Sequence, residues 1–189
     1  MCLLMYNRIM IYTFQNALET FGSRYQIRKA LAEKRLFLVK RGFYSDEKPL
    51  RDEAALSLFY PETILTLNSA FFLYGLTDTI PDFFYLASPR TSVRIKDADV
   101  RQSFQDKSFF AVGDSFFPTP TGVVRIYDKE RLLIELLRFQ KQFPYGYYKE
   151  IILNYRQISS SLDSNKIAGY TQHFKNGENL LRQILKEVY

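Results

Sequence analysis

The apolar positions change period several times along the chain, and each change marks an element. Phe14, Ala17, Leu18 and Phe21 recur at helical spacing, which predicts a short amphipathic helix. Phe21-Gly22-Ser23 breaks it. Gly22 suits a helix C-terminus with positive φ, and Ser23 suits the N-cap of the next helix. That second helix is predicted over Arg24 to Lys34. Ile27, Ala30 and Leu31 share the side that packs on the first helix, and Tyr25, Arg28, Lys29 and Ala32 share the other. The period then shortens. Leu36-Phe37-Leu38-Val39 and Phe43-Tyr44-Ser45 read as two strands around the basic turn Lys40-Arg41-Gly42. A helix, a tight turn, a helix and a hairpin "wing" make a winged helix-turn-helix arrangement over residues 1–46.

Residues 47–189 read as a second, mixed domain. Arg51 to Phe59 is a predicted helix with Ala54, Ala55 and Leu58 on one face, stopped by Pro61. Ile64 to Leu76 is strongly apolar and reads as a buried helix with Gly75 near its end. Strand-like runs follow at Phe83–Ala87, Val93–Ile95, Phe109–Val112, Phe116–Phe117 and Val123–Ile126. Turns are predicted at Ile80-Pro81-Asp82, at Gly113-Asp114 and at Pro118–Gly122. Together these predict a small, mostly antiparallel sheet. Asp128 opens a helix whose Leu132, Leu133, Leu136, Leu137 and Phe139 face inward. Arg131 and Glu135 lie one turn apart on it. As an exposed pair they would contribute at most about 0.5 kcal/mol. A helical tail follows, over Tyr147–Arg156, Asn165–Phe174 and Asn179–Val188. Its tyrosines, Tyr145, Tyr147, Tyr148, Tyr155 and Tyr170, read as part of a packed layer in preference to a partner surface. The predicted fold class is α+β.

Composition narrows the class. The chain has 189 residues, 47% of them hydrophobic and 24% charged, which excludes wholesale disorder. The single Cys2 cannot form an internal disulfide, so the chain reads as reduced and cytoplasmic. No run approaches the ~18 apolar residues of a membrane span. The apolar stretch from Met1 to Tyr12 is interrupted by Asn7 and Arg8 and lacks a small-residue cleavage site. It therefore reads as a first helix or docking strand, not a signal peptide.

Charge adds a location. The net charge is +6, and all of it resides in residues 1–45, which hold eight basic side chains against Glu19 and Glu33. Seven of the eight fall between Arg24 and Arg41. A local excess of this kind is the electrostatic footprint of a polyanion-binding surface. Ser23, Arg24, Tyr25, Gln26, Arg28 and Lys29 are the candidate contacts from the second helix. Gln26 suits adenine and Arg28 suits guanine in the major groove. Lys34, Arg35, Lys40 and Arg41 are candidates for the phosphate backbone.

The stretch Phe21 to Tyr44 resembles the winged helix-turn-helix of the AbiEi antitoxin family, whose pattern Leu-x-x-Val-x-Arg-Gly-x-Tyr stands here as Leu36-Phe-Leu-Val39-Lys-Arg41-Gly42-Phe-Tyr44. Ser69-Ala70-Phe-Phe-Leu-Tyr-Gly75-Leu76 is similar to the family's Ser-Ala-x-x-x-x-Gly-Leu helix end. Glu130-Arg131-Leu-Leu-Ile-Glu135-Leu-Leu-Arg138 is similar to its Glu-Arg-Thr-Leu-x-Asp-x-x-Arg helix, with Leu in place of the usual Thr and Glu135 in place of Asp. The likeness runs from about Phe14 to Arg138. Members of the family are antitoxins and transcriptional regulators of abortive-infection, type IV toxin–antitoxin pairs. The resemblance implies a protein that represses its own operon and counters a nucleotidyltransferase-like toxin without a stable complex.

Enzymatic alternatives lack their residues. His173 has no second metal-type ligand nearby, and Gly-x-Ser-x-Gly, P-loop and dinucleotide-binding glycine patterns are absent. A metal-dependent nuclease needs an Asp followed by an acidic-x-Lys strand. Asp82 precedes Phe83–Ala87, which carries neither an acid nor a lysine. Asp97-Ala-Asp99 has nucleotidyltransferase spacing but no Gly-Ser before it. The reading is therefore a non-enzymatic protein with no cofactor and no metal, which binds double-stranded operator DNA as a monomer or homodimer and does not engage a membrane. The competing class is an interaction protein that binds RNA or an acidic partner through the same segment, with Tyr25, Phe37, Phe43 and Tyr44 stacking on splayed bases.

Overall fold

Thr13 begins the first helix by accepting a hydrogen bond from the Asn16 N–H at 3.2 Å, and the chain's first described unit grows from that cap. The computed structural model describes residues 10–47, 53–119 and 122–189, with Ala54 described by its backbone alone. The chain divides into two compact units, Met1–Phe59 with Pro118–Val123, and Tyr60–Phe117 with Val124–Tyr189.

In the first unit, β1 (Ile11–Thr13) leads into α1 (Phe14–Phe21) and α2 (Arg24–Ala32), followed by β2 (Phe37–Lys40), β3 (Phe43–Ser45) and α3 (Glu53–Phe59). The three strands form an antiparallel sheet in the order β1-β3-β2, with Tyr44 level with Tyr12 on one side and Leu38 on the other. The strand alternative for the N-terminal stretch holds at Ile11–Thr13. Residues 1–9 lie outside the described residues. Ala17, Ile27, Ala30 and Leu36 form the core, with Tyr12, Phe14, Leu18, Phe21, Leu31 and Tyr44 packed around them. Gly22 takes φ +84 and donates to the Leu18 carbonyl, closing α1 as its sequence position predicts. The expected helix over Arg24–Lys34 ends earlier, at Ala32. Lys34 adopts φ +56, and the Arg35 and Leu36 N–H groups both turn back onto the Ala30 carbonyl. In α3 the inward residues are Ala55 and Leu56, while Leu58 is 51% exposed, against the face expected from the sequence.

Apart from residues 118–119 and 122–123 of its last two strands, the second unit holds β4 (Ile64–Leu65), α4 (Leu67–Leu73), β5 (Phe84–Pro89), β6 (Val100–Gln105), α5 (Lys107–Phe110), β7 (Asp114–Thr119) and β8 (Gly122–Tyr127), then α6 (Lys129–Arg138), α7 (Tyr145–Gln157), α8 (Ser164–Thr171) and α9 (Gly177–Glu187). The fold is α+β, as expected, with a helical C-terminal region. The sheet is not mostly antiparallel. It is a mixed five-stranded sheet in the order β6-β5-β4-β8-β7, in which β4 pairs antiparallel with β5 but parallel with β8, and β5 pairs parallel with β6. Propensity marks which residues suit a pleated surface and says nothing about which strand lies beside which.

Three element expectations are corrected. Ile64–Leu76 is not one helix, because Ile64 and Leu65 form the strand between β5 and β8 before α4 begins. Both forms bury a strongly apolar run, so periodicity does not separate them. Phe109–Val112 is not a strand. The carbonyls of Phe109 and Val112 accept hydrogen bonds from Arg131 Nη1 at 2.6 and 2.8 Å, so a side chain satisfies groups that a ladder would need. Val93–Ile95 is not a strand either. The Gln102 side chain accepts from the Ile95 N–H at 2.8 Å and donates to the Val93 carbonyl at 3.2 Å. The strand that does form there, Val100–Gln105, is too polar to have been read as one.

At the centre of this unit α6 is buried from Glu130 through Leu137, with α4, α8 and α9 packed against it. Asp128 caps it, accepting from the Arg131 N–H at 2.9 Å. The expectation of an exposed Arg131–Glu135 pair is overturned, since the two side chains are 0% and 1% exposed. The tyrosines of the tail act mainly as packed groups. Tyr148, Tyr155 and Tyr170 donate hydroxyl hydrogen bonds to Glu187, to the Lys129 carbonyl and to Asp128 at 2.6, 2.9 and 2.9 Å, while Tyr145 is 75% exposed.

Candidate nucleic-acid interface

The second helix is set by its cap. The Ser23 hydroxyl accepts from the Gln26 N–H at 3.2 Å, a bond worth about 1 kcal/mol to the helix. Ile27 and Ala30 on its inner side are buried at 3% and 0% exposure, which fixes the rotation of the helix about its axis. The opposite side must then face water, and Arg24, Tyr25, Gln26, Arg28 and Lys29 are all exposed. Tyr25, Arg28 and Lys29 stand one turn apart at i, i+3 and i+4, the spacing that places side chains together on one face. Tyr25 is 71% exposed, a ring without a packing role in its own unit.

The hairpin supplies the remaining cations. Gly42 at φ +87 permits the tight reversal between β2 and β3, a conformation that costs other residues about 1 kcal/mol or more. It leaves Arg41 exposed at the tip. Lys40, half-buried, places its ammonium 6.0 Å from the Phe59 ring centre. Lys34 and Arg35 are exposed on the segment between α2 and β2.

The geometry also shows which of these charges are already engaged. Glu33 sits among them. Arg35 Nη2 approaches its Oε2 at 2.5 Å, and Lys29 Nζ lies 3.9 Å from Oε1. The hydrogen bond from Arg35 holds the Glu33 carboxyl below the usual carboxylate range. Arg24 stacks its guanidinium over the Phe14 ring at 5.4 Å. Arg28, Lys34 and Arg41 form no ion pair among the described residues. The role of Glu33 was not legible in the sequence, where it counts only as one of two acids in a basic segment. Its spacing from Lys29, four residues along a helix, was the signal.

No group of three or more His, Cys, Asp or Glu side chains placed to hold a metal ion occurs among the described residues. Asp97, the first acid of the Asp97-Ala-Asp99 spacing, is engaged locally: it accepts from the Tyr60 hydroxyl at 2.5 Å and from the Asp99 N–H at 3.1 Å. No helix among the described residues is long and apolar enough to cross a membrane.

These features define an α+β protein in which a small basic unit carries two capped helices and a three-stranded antiparallel sheet. No protein-family model and no curated protein matches the chain. Among solved structures it is similar to the crystal structure of the RV2827C protein from Mycobacterium tuberculosis, at 16% identity and a TM-score of 0.59 over 92% of this chain and 71% of that one. At that identity the likeness is one of fold.

Proposed function

We propose that this protein is a DNA-binding transcriptional regulator of the AbiEi antitoxin type, with the segment 1–46 as its winged helix-turn-helix DNA-binding part. The observation that carries the proposal is the outer face of α2. A Ser23-capped helix buries Ile27 and Ala30 and presents Tyr25, Gln26, Arg28 and Lys29 to solvent, and a hairpin with Arg41 at its tip follows it. In this reading α2 enters the major groove, where Gln26 and Arg28 contact base edges. Lys34, Arg35, Lys40 and Arg41 hold the flanking phosphates and set the register. Residues 47–189 form the antitoxin part, which counters a nucleotidyltransferase-like toxin without a stable complex.

The test is a salt titration of binding to duplex DNA from the protein's own promoter region. With ~5 phosphates neutralised, log K falls against log salt with a slope of about −4 to −5. A slope near zero removes the proposal. Tighter binding to single-stranded RNA in the same assay replaces it with the RNA reading. The division of labour is tested with the whole chain carrying Arg28→Ala and Lys29→Ala. This variant loses DNA binding and keeps protection against the toxin, and loss of both shows that the two activities are not separable.

A further inference from the structure

The outer face of α9 carries a pattern with no partner in the described chain. Its inner residues Leu180, Ile184 and Val188 are buried, packing on α6 and α8. On the outer side Leu181 and Leu185 lie one turn apart, and Leu185 is 54% exposed. A second stripe runs beside the first: Glu178, Arg182 and Lys186, all exposed and none in an ion pair among the described residues. The acid lies at the N-terminal end of this stripe and the bases lie in its middle and C-terminal parts.

That order is self-complementary in one direction only. A second α9 laid antiparallel brings its Lys186 toward Glu178 and its Glu178 toward Lys186. A parallel one sets acid against acid and base against base, which is destabilising. The apolar stripe has the same property. With a two-fold axis level with residue 183, Leu181 of each copy faces Leu185 of the other.

We propose that α9 is a homodimer interface, pairing antiparallel with α9 of a second copy. The experiment is sedimentation velocity on the full chain from roughly 1 to 100 µM, a range that brackets a dissociation constant near 10 µM. The chain sediments as a dimer at the upper end. Leu185→Glu, at an exposed position, weakens dimerisation at least about tenfold, as expected when charge replaces an apolar contact at the centre of an interface, and leaves the thermal midpoint unchanged at roughly 1 µM, where the parent is mostly monomeric too. Glu178→Lys and Lys186→Glu each weaken the dimer, and the two together restore it, because the swap rebuilds the same pairs with reversed sign. A chain that stays monomeric across the range overturns the proposal. So does a dimer indifferent to Leu185→Glu, or one in which the charge swap brings no rescue. The paired swap does not depend on the behaviour of the Leu185 variant.

Discussion

Arg131 Nε donates a hydrogen bond to Glu135 Oε1 at 2.8 Å, one helical turn away and wholly out of contact with solvent. Arg131 Nη2 lies 2.8 Å from the same oxygen, and Arg138 Nη1 reaches it at 2.5 Å. Two guanidinium groups thus share one carboxylate. The rings of Tyr127, Phe174 and Phe109 surround Arg131 at 4.4, 5.1 and 5.7 Å, and Phe174 also lies 4.5 Å from Arg138. These faces supply negative charge density that one carboxylate cannot supply to two cations. Removing Glu135 strands both arginines. Glu135→Ala is therefore expected to lower stability by about 3–5 kcal/mol, read from urea unfolding. Arg131→Met together with Glu135→Leu is expected to cost less than the sum of the single changes, by about 1 kcal/mol or more. Additive losses would show that the pair is not coupled.

Gly113 makes this arrangement possible. It takes φ +78, and a Cβ placed there would lie 2.4 Å from Arg131 Cβ and 2.9 Å from Asp128 Oδ1. The strain of the left-handed conformation and the clash act together, and neither atom belongs to the free end of a flexible chain. Gly113→Ala is expected to destabilise by about 2 kcal/mol or more, seen as a lower midpoint in thermal unfolding. A variant as stable as the parent would mean that the turn moves freely away from α6.

The sequence showed the small unit far more clearly than the large one, for a physical reason. Gly22, Ser23 and Gly42 act on their immediate neighbours, and the alternation from period 3.6 to period 2 at Leu36 is local as well. Local signals survive without knowledge of the rest of the chain. The larger unit is organised by distant contacts. The Phe109 and Val112 carbonyls are satisfied by a guanidinium from α6, and the Gln102 side chain does the work of a ladder for Val93 and Ile95. Ile64 and Leu65 become a strand only because two others flank them. Arg131 and Glu135 show the same limit. Their spacing was visible and their pairing correctly expected, but burial depends on what α4, α8 and α9 cover. At the candidate interface the outward face of α2 was legible from Ile27 and Ala30, whereas the engagement of Arg35 by Glu33 was not.

Alkaline pH is expected to unfold the larger unit early. Burial pushes Tyr74 up to about 12 and raises Tyr155, whose hydroxyl donates to the Lys129 carbonyl, well above its ordinary value of 10.0. A folded-state value above the unfolded one means that the native chain holds its phenolic proton more tightly. The stability this linkage contributes is complete below pH 10 and is lost as pH rises from there through 12. Absorbance at 295 nm should therefore show these tyrosines ionising together with unfolding. Tyr155→Phe is expected to cost about 1 kcal/mol at neutral pH through its lost hydrogen bond, and to flatten the alkaline decline. A phenylalanine variant with an unchanged alkaline slope would show that Tyr155 takes no part in it.

Glu33 gives the proposed DNA interface a measurable restraint. Its carboxylate engages Arg35 directly and Lys29 more distantly, and it lies where an approaching phosphate would be repelled. Both effects oppose binding, because two cations must leave a partner and a negative charge must be brought near another. Glu33→Gln removes the charge and keeps the shape. It is expected to tighten duplex binding by roughly threefold or more at low salt, the scale of one exposed ion pair. Because the acid acts through charge, the gain should shrink as salt screens it. Helix stability changes little, since the lost i, i+4 contact with Lys29 is a long, solvent-screened one. The same substitution distinguishes a phosphate-facing surface from a merely solvated one. If Lys29 and Arg35 never meet DNA, neutralising Glu33 leaves the affinity unchanged at every salt concentration.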